Sequence, residues 1–443
     1  MISVARRTQR ITKAPRPSAR VVNAWRLYAL LSLVPIVVFA NIVAGPGSER
    51  PFEPLQGVDF GAFYGGATLV REGHARQLGD MDAQRAVQHR IQERERTGWT
   101  WYNALPHPPV ASVLIAPFAW LPLRTAYWLF AALGLVAASI AAWVLARALC
   151  PRVPIAAALV LFAFEPIWDV AWWGQLDSFL LLPVAIGTVM LMRGSGHRRD
   201  LAAGALLGML ALKPIFVPVP LLALAWGRPR AALGMMATGT ALAAASVVVV
   251  GTQGVRDYLE LSRYYQRFSG SPAIVEWRMY NLRGMAIRLD LGATEQARLV
   301  IVLASSLLLA ILTVAVAGRA LRARRAPDLA IGAIALGTLL TAYHVHVQSL
   351  VFLVVPMAAW LGRSLATQTS SAALLWAIPV IAVHAGAAML RPEKPSPSPS
   401  EAGLETYLTA CCLALLLASV LALTIPALTR RLTGSTPRAG ATP

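Results

Sequence analysis

A few acidic and amide side chains interrupt the apolar stretches of this chain, and they are its first candidates for chemistry. Asp59 lies in the segment GVDFGAFYGG, and Gln175 and Asp177 lie in WWGQLD behind Trp172 and Trp173. Asp59 is a candidate catalytic acid, although a carboxylate there can also be a solvated helix cap. The tryptophans fit an aromatic belt at a membrane interface. Gln175 is less easily explained that way, because an amide at membrane depth needs partners.

Cationic side chains form a second set of candidates. Lys213 separates two apolar half-helices in LALKPIF, where an ammonium group is costly unless it reaches water, an anion or a carboxylate. Lys213 has two possible roles: it contacts a lipid phosphate, or its side chain only extends to the lipid headgroups. In either case we expect it to face water and to contribute little to folding. Arg278 and Arg283 lie in WRMYNLRG on either side of Asn281, in a segment that could also be merely solvated.

Two histidines, His344 and His346 in TAYHVHVQ, follow an apolar run. Residues i and i+2 point in opposite directions on a helix, and no Cys or acid lies near these histidines in sequence. We therefore expect them to line a polar chamber or to hydrogen-bond a substrate, and we do not expect a zinc site. The three cysteines have no metal-binding spacing. Walker A, Rossmann glycine and HExxH patterns are absent from the sequence, which removes the usual support for ATP-driven transport and zinc proteolysis.

The composition places these residues in a membrane protein. Of the 443 residues 57% are hydrophobic and only 14% are charged, and the mean hydropathy is +0.58. A soluble domain needs more polar surface than this. The net charge of +19 does not indicate nucleic-acid binding, because the arginines and lysines form short clusters between apolar runs. Such clusters orient helices by the positive-inside rule.

The apolar runs predict an all-α, polytopic bundle of about twelve membrane helices with both termini in the cytoplasm. We expect a basic tail at 1–26, a membrane domain at 27–428 that includes an external loop at 45–122, and a second tail at 429–443. Within that loop, 73–99 resembles an interfacial helix and 108–121 a re-entrant element. The candidate residues then share one polar chamber on the outer side of a bacterial inner membrane. The predicted helices are 27–44, 123–147, 153–170, 176–193, 200–212, 214–226, 230–251, 297–318, 327–343, 348–363, 371–390 and 403–428.

Several segments, in their order along the chain, resemble glycosyltransferase family 87, whose members are membrane enzymes of the GT-C type. They are VDFGAFYGGATLVREG, LPHPPVASVLIAPFAWLP, WGQLDSFLLLP, AGALLGMLALKP, WRMYNLRG and the pair His344 and His346. In that family an aspartate just after the first helix acts as the catalytic base, and Asp59 is the matching position. The family often has asparagine where this chain has Asp177.

The resemblance implies an inverting, metal-independent transferase without a cofactor. It implies a polyprenyl-phosphate sugar donor, with mannose the expected sugar, and an extracytoplasmic lipid or glycan acceptor. Lys213, Arg278 and Arg283 would then bind the donor phosphate. Trp173, Gln175, Asp177, Asn281, His344 and His346 would contact the substrates. The rival interpretation is a non-catalytic flippase or transporter of a lipid-linked sugar or another anion, in which half-helices would also meet at a cation.

Overall fold

The computed structural model describes residues 57–97, 102–194, 196–265, 276–292, 294–367 and 399–425, and α-helices with short 3₁₀ segments are the regular structure of this part. The predicted helices 27–44 and 371–390 and both predicted tails lie outside it. The α-helices are α1 Val58–Arg71, α2 Met81–Glu95, α3 Val110–Ile115, α4 Leu123–Leu149, α5 Pro154–Phe162, α6 Glu165–Trp173, α7 Asp177–Met192, α8 His197–Leu207, α9 Pro218–Gly227, α10 Pro229–Tyr265, α11 Leu282–Arg288, α12 Glu295–Arg322, α13 Pro327–Thr341, α14 Val354–Thr367 and α15 Pro399–Thr424.

Three of these helices, α4, α10 and α12, are long and apolar enough to cross a membrane. The pair α5 and α6, bent by 46°, could supply a fourth crossing. The described residues therefore form a polytopic helical membrane protein. Many apolar side chains on α4 and α12 face outward, as expected of helices that contact lipid.

Proline and glycine break several of the predicted continuous segments. The predicted helix 153–170 divides at Phe164, whose extended backbone precedes Pro166 at the start of α6. The hairpin predicted around Lys213 consists of α8, two 3₁₀ segments and α9. The helix predicted at 230–251 is longer than expected: α10 continues to Tyr265 past a kink at Gly251, which has a φ of 69°. The predicted loop 252–296 is thus partly helical, and it also contains α11.

The loop predicted at 45–122 is also folded where the structure describes it. α1 packs against α2 and α3, and the buried Gln84 and Gln88 of α2 bond to the chain at 103–105. The re-entrant element predicted at 108–121 corresponds to α3 followed by the 3₁₀ segment Ala116–Trp120. These short elements bring α1 and the 102–109 segment together, and both carry residues of the candidate site.

The bundle has two chemically distinct ends. One, the basic end, carries Arg193, Arg228 and Arg322 at or next to the ends of α7, α9 and α12. The other, the polar end, carries Asp177 at the start of α7 and Lys213 beyond α8. A helix rises about 1.5 Å per residue, so the 16 residues of α7 separate the ends by about 24 Å.

Candidate active site

The start of α1 is tied to the end of α6, and this contact places Asp59. The Gly57 N–H donates to the Trp172 carbonyl oxygen at 2.8 Å, just before Asp59 in the first turn of α1. Gly174 ends α6 with a φ of 73°, and a Cβ on it would lie 2.4 Å from the Phe60 Cβ. Glycine is required there by both the conformation and the close approach. The WWG sequence therefore brings Gln175 towards Asp59.

Two amide side chains hold the Asp59 carboxylate. Asn103 Nδ2 donates to Oδ1 at 2.8 Å, and Gln175 Nε2 donates to Oδ2 at 2.7 Å. Protein surrounds Asp59 on most sides. The residue is half-buried, so part of its surface remains exposed. Burial raises the pKa of Asp59, while the hydrogen bonds from Gln175 and Asn103 and the charge of Lys213 oppose that rise. The result is an oriented carboxylate with lone pairs still available for a hydroxyl group.

Lys213 does not face water, contrary to our expectation. Its side chain is 10% exposed, and Nζ lies 2.7 Å from Oδ2 of Asp177, whose side chain is 0% exposed. Nζ also lies 3.4 Å from Oγ of Ser349. Because Asp177 opens α7 and Lys213 lies between two 3₁₀ segments, the ion pair joins two broken parts of the bundle. Lys213 is therefore part of the fold as well as a candidate for binding.

Three histidines lie near this ion pair. His344 and His346 do not lie on a helix: His346 has φ −94° and ψ 174°, and the two rings are 5.6 Å apart. The helix-based argument against their convergence was therefore wrong, because side chains i and i+2 share a side in extended chain. His107 packs its ring 4.7 Å from Phe63. Within the described residues, no three His, Cys, Asp or Glu side chains cluster as metal ligands would.

These histidines are neutral at pH 7. Burial, followed by the charge of Lys213, lowers the pKa of His107 to about 3 and that of His346 to about 4. Burial and then the neighbouring His346 lower the pKa of His344 well below its usual value. A neutral imidazole both donates and accepts, so each ring can hydrogen-bond a sugar hydroxyl or a phosphate oxygen.

The segment that carries Arg278 and Arg283 is fastened to the histidine loop, since the Tyr280 N–H donates to the Val345 carbonyl oxygen at 2.8 Å. Arg283 is 1% exposed, pairs with Glu276 at 3.0 Å and lies 4.3 Å from the Tyr343 ring centroid. Asn281 is fully buried; its oxygen caps α11 at the Gly284 N–H, and its amide donates to the Ala342 carbonyl oxygen. Arg283 and Asn281 thus hold the loop in place.

Arg278 ends the 3₁₀ segment Glu276–Arg278. It is half-buried, and its backbone hydrogen-bonds the His346 ring. Its charge also acts on Asp169.

Sequence reasoning missed three polar residues of this site. Asn103 binds Asp59, and His107, from the quoted segment LPHPPV, is 8% exposed with both ring nitrogens unbonded among the described residues. Asp169 is 2% exposed, accepts a hydrogen bond from Trp173 and is close enough to Asp59 for their charges to repel. An acid within an apolar helix was the available signal for Asp169, because such residues are costly and commonly functional.

The fold and the site define a helical membrane protein with a buried acid, amides and histidines at one end of its bundle. The model of glycosyltransferase family 87 matches residues 106–342, more than half of the chain. The chain therefore belongs to glycosyltransferase family 87, as its motifs indicated, and it is a membrane glycosyltransferase. This membership favours the enzyme over the flippase or transporter. The matched range excludes Asp59, His344 and His346.

Similarity to individual proteins is more limited. The chain is 30% identical over 141 residues to the alpha-(1->3)-arabinofuranosyltransferase of two strains of Mycobacterium tuberculosis. The alignment covers 29% of this chain and 33% of each relative, so the chain spans about a third of the curated relatives that it matches. No solved structure matches the chain.

Proposed function

We propose that this protein transfers one sugar from a polyprenyl-phosphate donor to a lipid or glycan acceptor, with inversion at the anomeric carbon and Asp59 as the general base. The observation that carries the proposal is the fixed position of the Asp59 carboxylate. Asn103 and Gln175 hydrogen-bond it, and the charge of Lys213 lies close enough to lower its pKa. The oriented carboxylate of Asp59 fits a one-step displacement, because the reaction needs one base and no enzyme nucleophile.

In this reaction an acceptor hydroxyl group attacks the anomeric carbon of the donor. Its proton passes to Asp59 as the new carbon–oxygen bond forms, and the bond to the phosphate oxygen breaks. The polyprenyl phosphate leaves with the electron pair of that bond, and Asp59 later releases its proton to water. Burial raises the pKa of Asp59, which makes its carboxylate a stronger base than an exposed one.

The departing phosphate gains negative charge, which nearby cations and hydrogen-bond donors would stabilise. Lys213, Arg278 and Arg283 are the candidate cations, and Lys213 and Arg283 already form buried ion pairs with Asp177 and Glu276. Neutral His344 and His346 would donate hydrogen bonds to the phosphate or the sugar. Trp173 would offer an aromatic face to the sugar or to the isoprenoid chain.

Two donor sugars deserve testing. Mannose is the sugar that the family resemblance implies. Arabinofuranose is the second candidate, because the Mycobacterium tuberculosis relatives are named as arabinofuranosyltransferases.

We further propose that the basic end faces the cytoplasm and the polar end the exterior of a bacterial inner membrane. Two arginine clusters, at 228–230 and 322–324, converge at this end beside Gly196 of the third basic segment, which supports this orientation. The full bundle would contain about twelve membrane helices, with the shorter segments of the described part packed among the longer ones.

The test is transfer by the purified protein in lipid nanodiscs. Radiolabelled polyprenyl-phosphate mannose and polyprenyl-phosphate arabinofuranose are each supplied with total membrane lipid and glycan. We expect a labelled product from one donor, and a rate about 10²–10⁴-fold lower for Asp59→Asn, which loses the base but nearly preserves its shape. Asp82→Asn is the matched control, because its side chain is 89% exposed on α2.

The control should transfer at the wild-type rate. A near-normal rate for a folded Asp59→Asn variant would overturn the catalytic assignment. If neither donor gives a labelled product, the proposed donor class is wrong.

A further inference from the structure

A polar cavity lies at the basic end of the bundle. It has a volume of about 450 Å³ and lies between the starts of α8 and α10 and the end of α12. Arg228, Arg230, Arg322 and Arg324 line it together with Asp200. These residues come from three separate parts of the chain and give the cavity a formal charge of +3, from four arginines and one aspartate.

Arg228 is the buried centre of this cavity, and its hydrogen bonding is incomplete. Its side chain is 7% exposed, Nη1 lies 3.7 Å from Oδ2 of Asp200, and Nη2 lies 3.5 Å from the Leu191 carbonyl oxygen. Well-formed arginine–carboxylate bonds are about 2.8 Å long. Nε of Arg228 and Oδ1 of Asp200 have no hydrogen-bond partner among the described residues. A buried guanidinium group with such poor acceptors is under-satisfied, which costs free energy unless a ligand completes its shell.

Two helix N-termini add to the positive potential. Gly196, which caps α8, and Pro229, the first residue of α10, both line the cavity. The N-terminal end of a helix carries partial positive charge, so it favours an anion. Arg230, Arg322 and Arg324 are exposed around the opening, where they can close on a bound group. Forked arginine side chains match the oxygens of a phosphate group.

We propose that this cavity binds the phosphate group of an anionic ligand, either the headgroup of an anionic membrane lipid or a soluble phosphate. The site is separate from the candidate active site, because α7 places about 24 Å between Asp177 and this end of the bundle. It therefore needs no assumption about the transfer reaction. The shared chemistry is the phosphate oxyanion, and the two sources are distinguished by experiment.

The test uses the full-length protein in detergent micelles at fixed ionic strength. Dioctanoyl phosphatidylglycerol, dioctanoyl phosphatidylcholine and inorganic phosphate are titrated separately, and Tm is followed, since a ligand that binds the folded state raises Tm with its concentration. Arg322→Gln combined with Arg324→Gln is the test variant, because both side chains are exposed and their loss should spare the fold. Arg319→Gln combined with Arg325→Gln is the matched control, with the same charge change nearby at exposed positions that do not line the cavity.

We expect phosphatidylglycerol or inorganic phosphate to raise Tm, and the zwitterionic lipid to have little effect. The test variant should bind at least about tenfold more weakly, because each lost charge-assisted bond to phosphate is worth about that factor. The control should bind like the wild type. A response to the lipid alone assigns the site to a headgroup, and a response to phosphate assigns it to the shared oxyanion. No shift with either anion, or an equal loss in both variants, would overturn the proposal.

Discussion

Replacing Lys213 with methionine tests whether the buried ion pair with Asp177 holds the fold together. The side chain of Asp177 is 0% exposed, and its Oδ2 lies 2.7 Å from Nζ. At that distance the gross attraction is about 6 kcal/mol for an effective dielectric constant of about 20. Desolvation of the two charges offsets much of it. Lys213→Met nevertheless leaves the carboxylate buried without its cation, which costs about 3–5 kcal/mol.

The assay is the free energy of unfolding in mixed micelles, from denaturant titrations of the wild type and its variants. Lys213→Met should lose about 3–5 kcal/mol, a large part of the roughly 5–15 kcal/mol of a typical protein. Lys213→Met combined with Asp177→Leu should recover most of that loss, because apolar groups then replace the whole pair. Arg90→Met is the matched control: its pair with Glu72 is also 2.7 Å long, but Arg90 is 61% exposed, so the loss should stay within about 1 kcal/mol.

The same variants separate folding from function. If Lys213 binds the donor phosphate, the double variant should be stable but should bind the donor weakly and transfer slowly. The ion-pair argument fails if Lys213→Met unfolds at the same free energy as Arg90→Met. It also fails if the double variant is as unstable as Lys213→Met alone.

The remaining predictions concern the base, metal ions and topology. Burial raises the pKa of Asp59, and the Gln175 hydrogen bond lowers it. Because the base must be ionised, kcat/KM should fall as the pH drops through that pKa. Gln175→Leu removes the hydrogen bond, so it should move this acidic limb of the kcat/KM profile to higher pH. An unmoved limb would contradict that role of Gln175. EDTA should leave transfer unchanged, since no three His, Cys, Asp or Glu side chains of the described residues cluster as metal ligands would, and Asp80 of the DxD sequence at 80–82 caps α2. Activity lost in EDTA and restored by manganese would refute this. In a cysteine-free background, a thiol reagent that cannot cross the membrane should label His74→Cys but not Arg198→Cys in intact cells, and the reverse pattern would invert the proposed topology.

The sequence carried enough information to assign the protein class. Long apolar runs and clustered arginines predict membrane helices, because lipid requires every backbone polar group to be bonded within the segment. The bounds of α4, α7 and α13 lie within a few residues of those predicted. The ordered motifs indicated the family that the match over 106–342 then showed. Periodicity and motif order are properties of the chain itself, so they can be seen before folding is considered.

The contacts of the site depend instead on tertiary structure. Asp59 is bonded to Asn103 and Gln175, which lie 44 and 116 residues away in the chain, and Lys213 is paired with Asp177 across 36 residues. No local pattern shows which distant amide will meet a given acid. The sequence placed Lys213 in water because its flanking segments are short, whereas folding provides it with a buried carboxylate.

Local conformation was equally decisive for the histidines. His344 and His346 were judged on helical geometry, but the chain is extended between α13 and the 3₁₀ segment Val347–Leu353, so the rings lie together. Arg283 and Asn281 have the residue types of a binding site, yet Glu276 and the cap of α11 engage them. Residue type and spacing nominate polar groups for chemistry. Packing decides which of them bond to each other and which still face a substrate, because a buried polar group must find a partner within the fold.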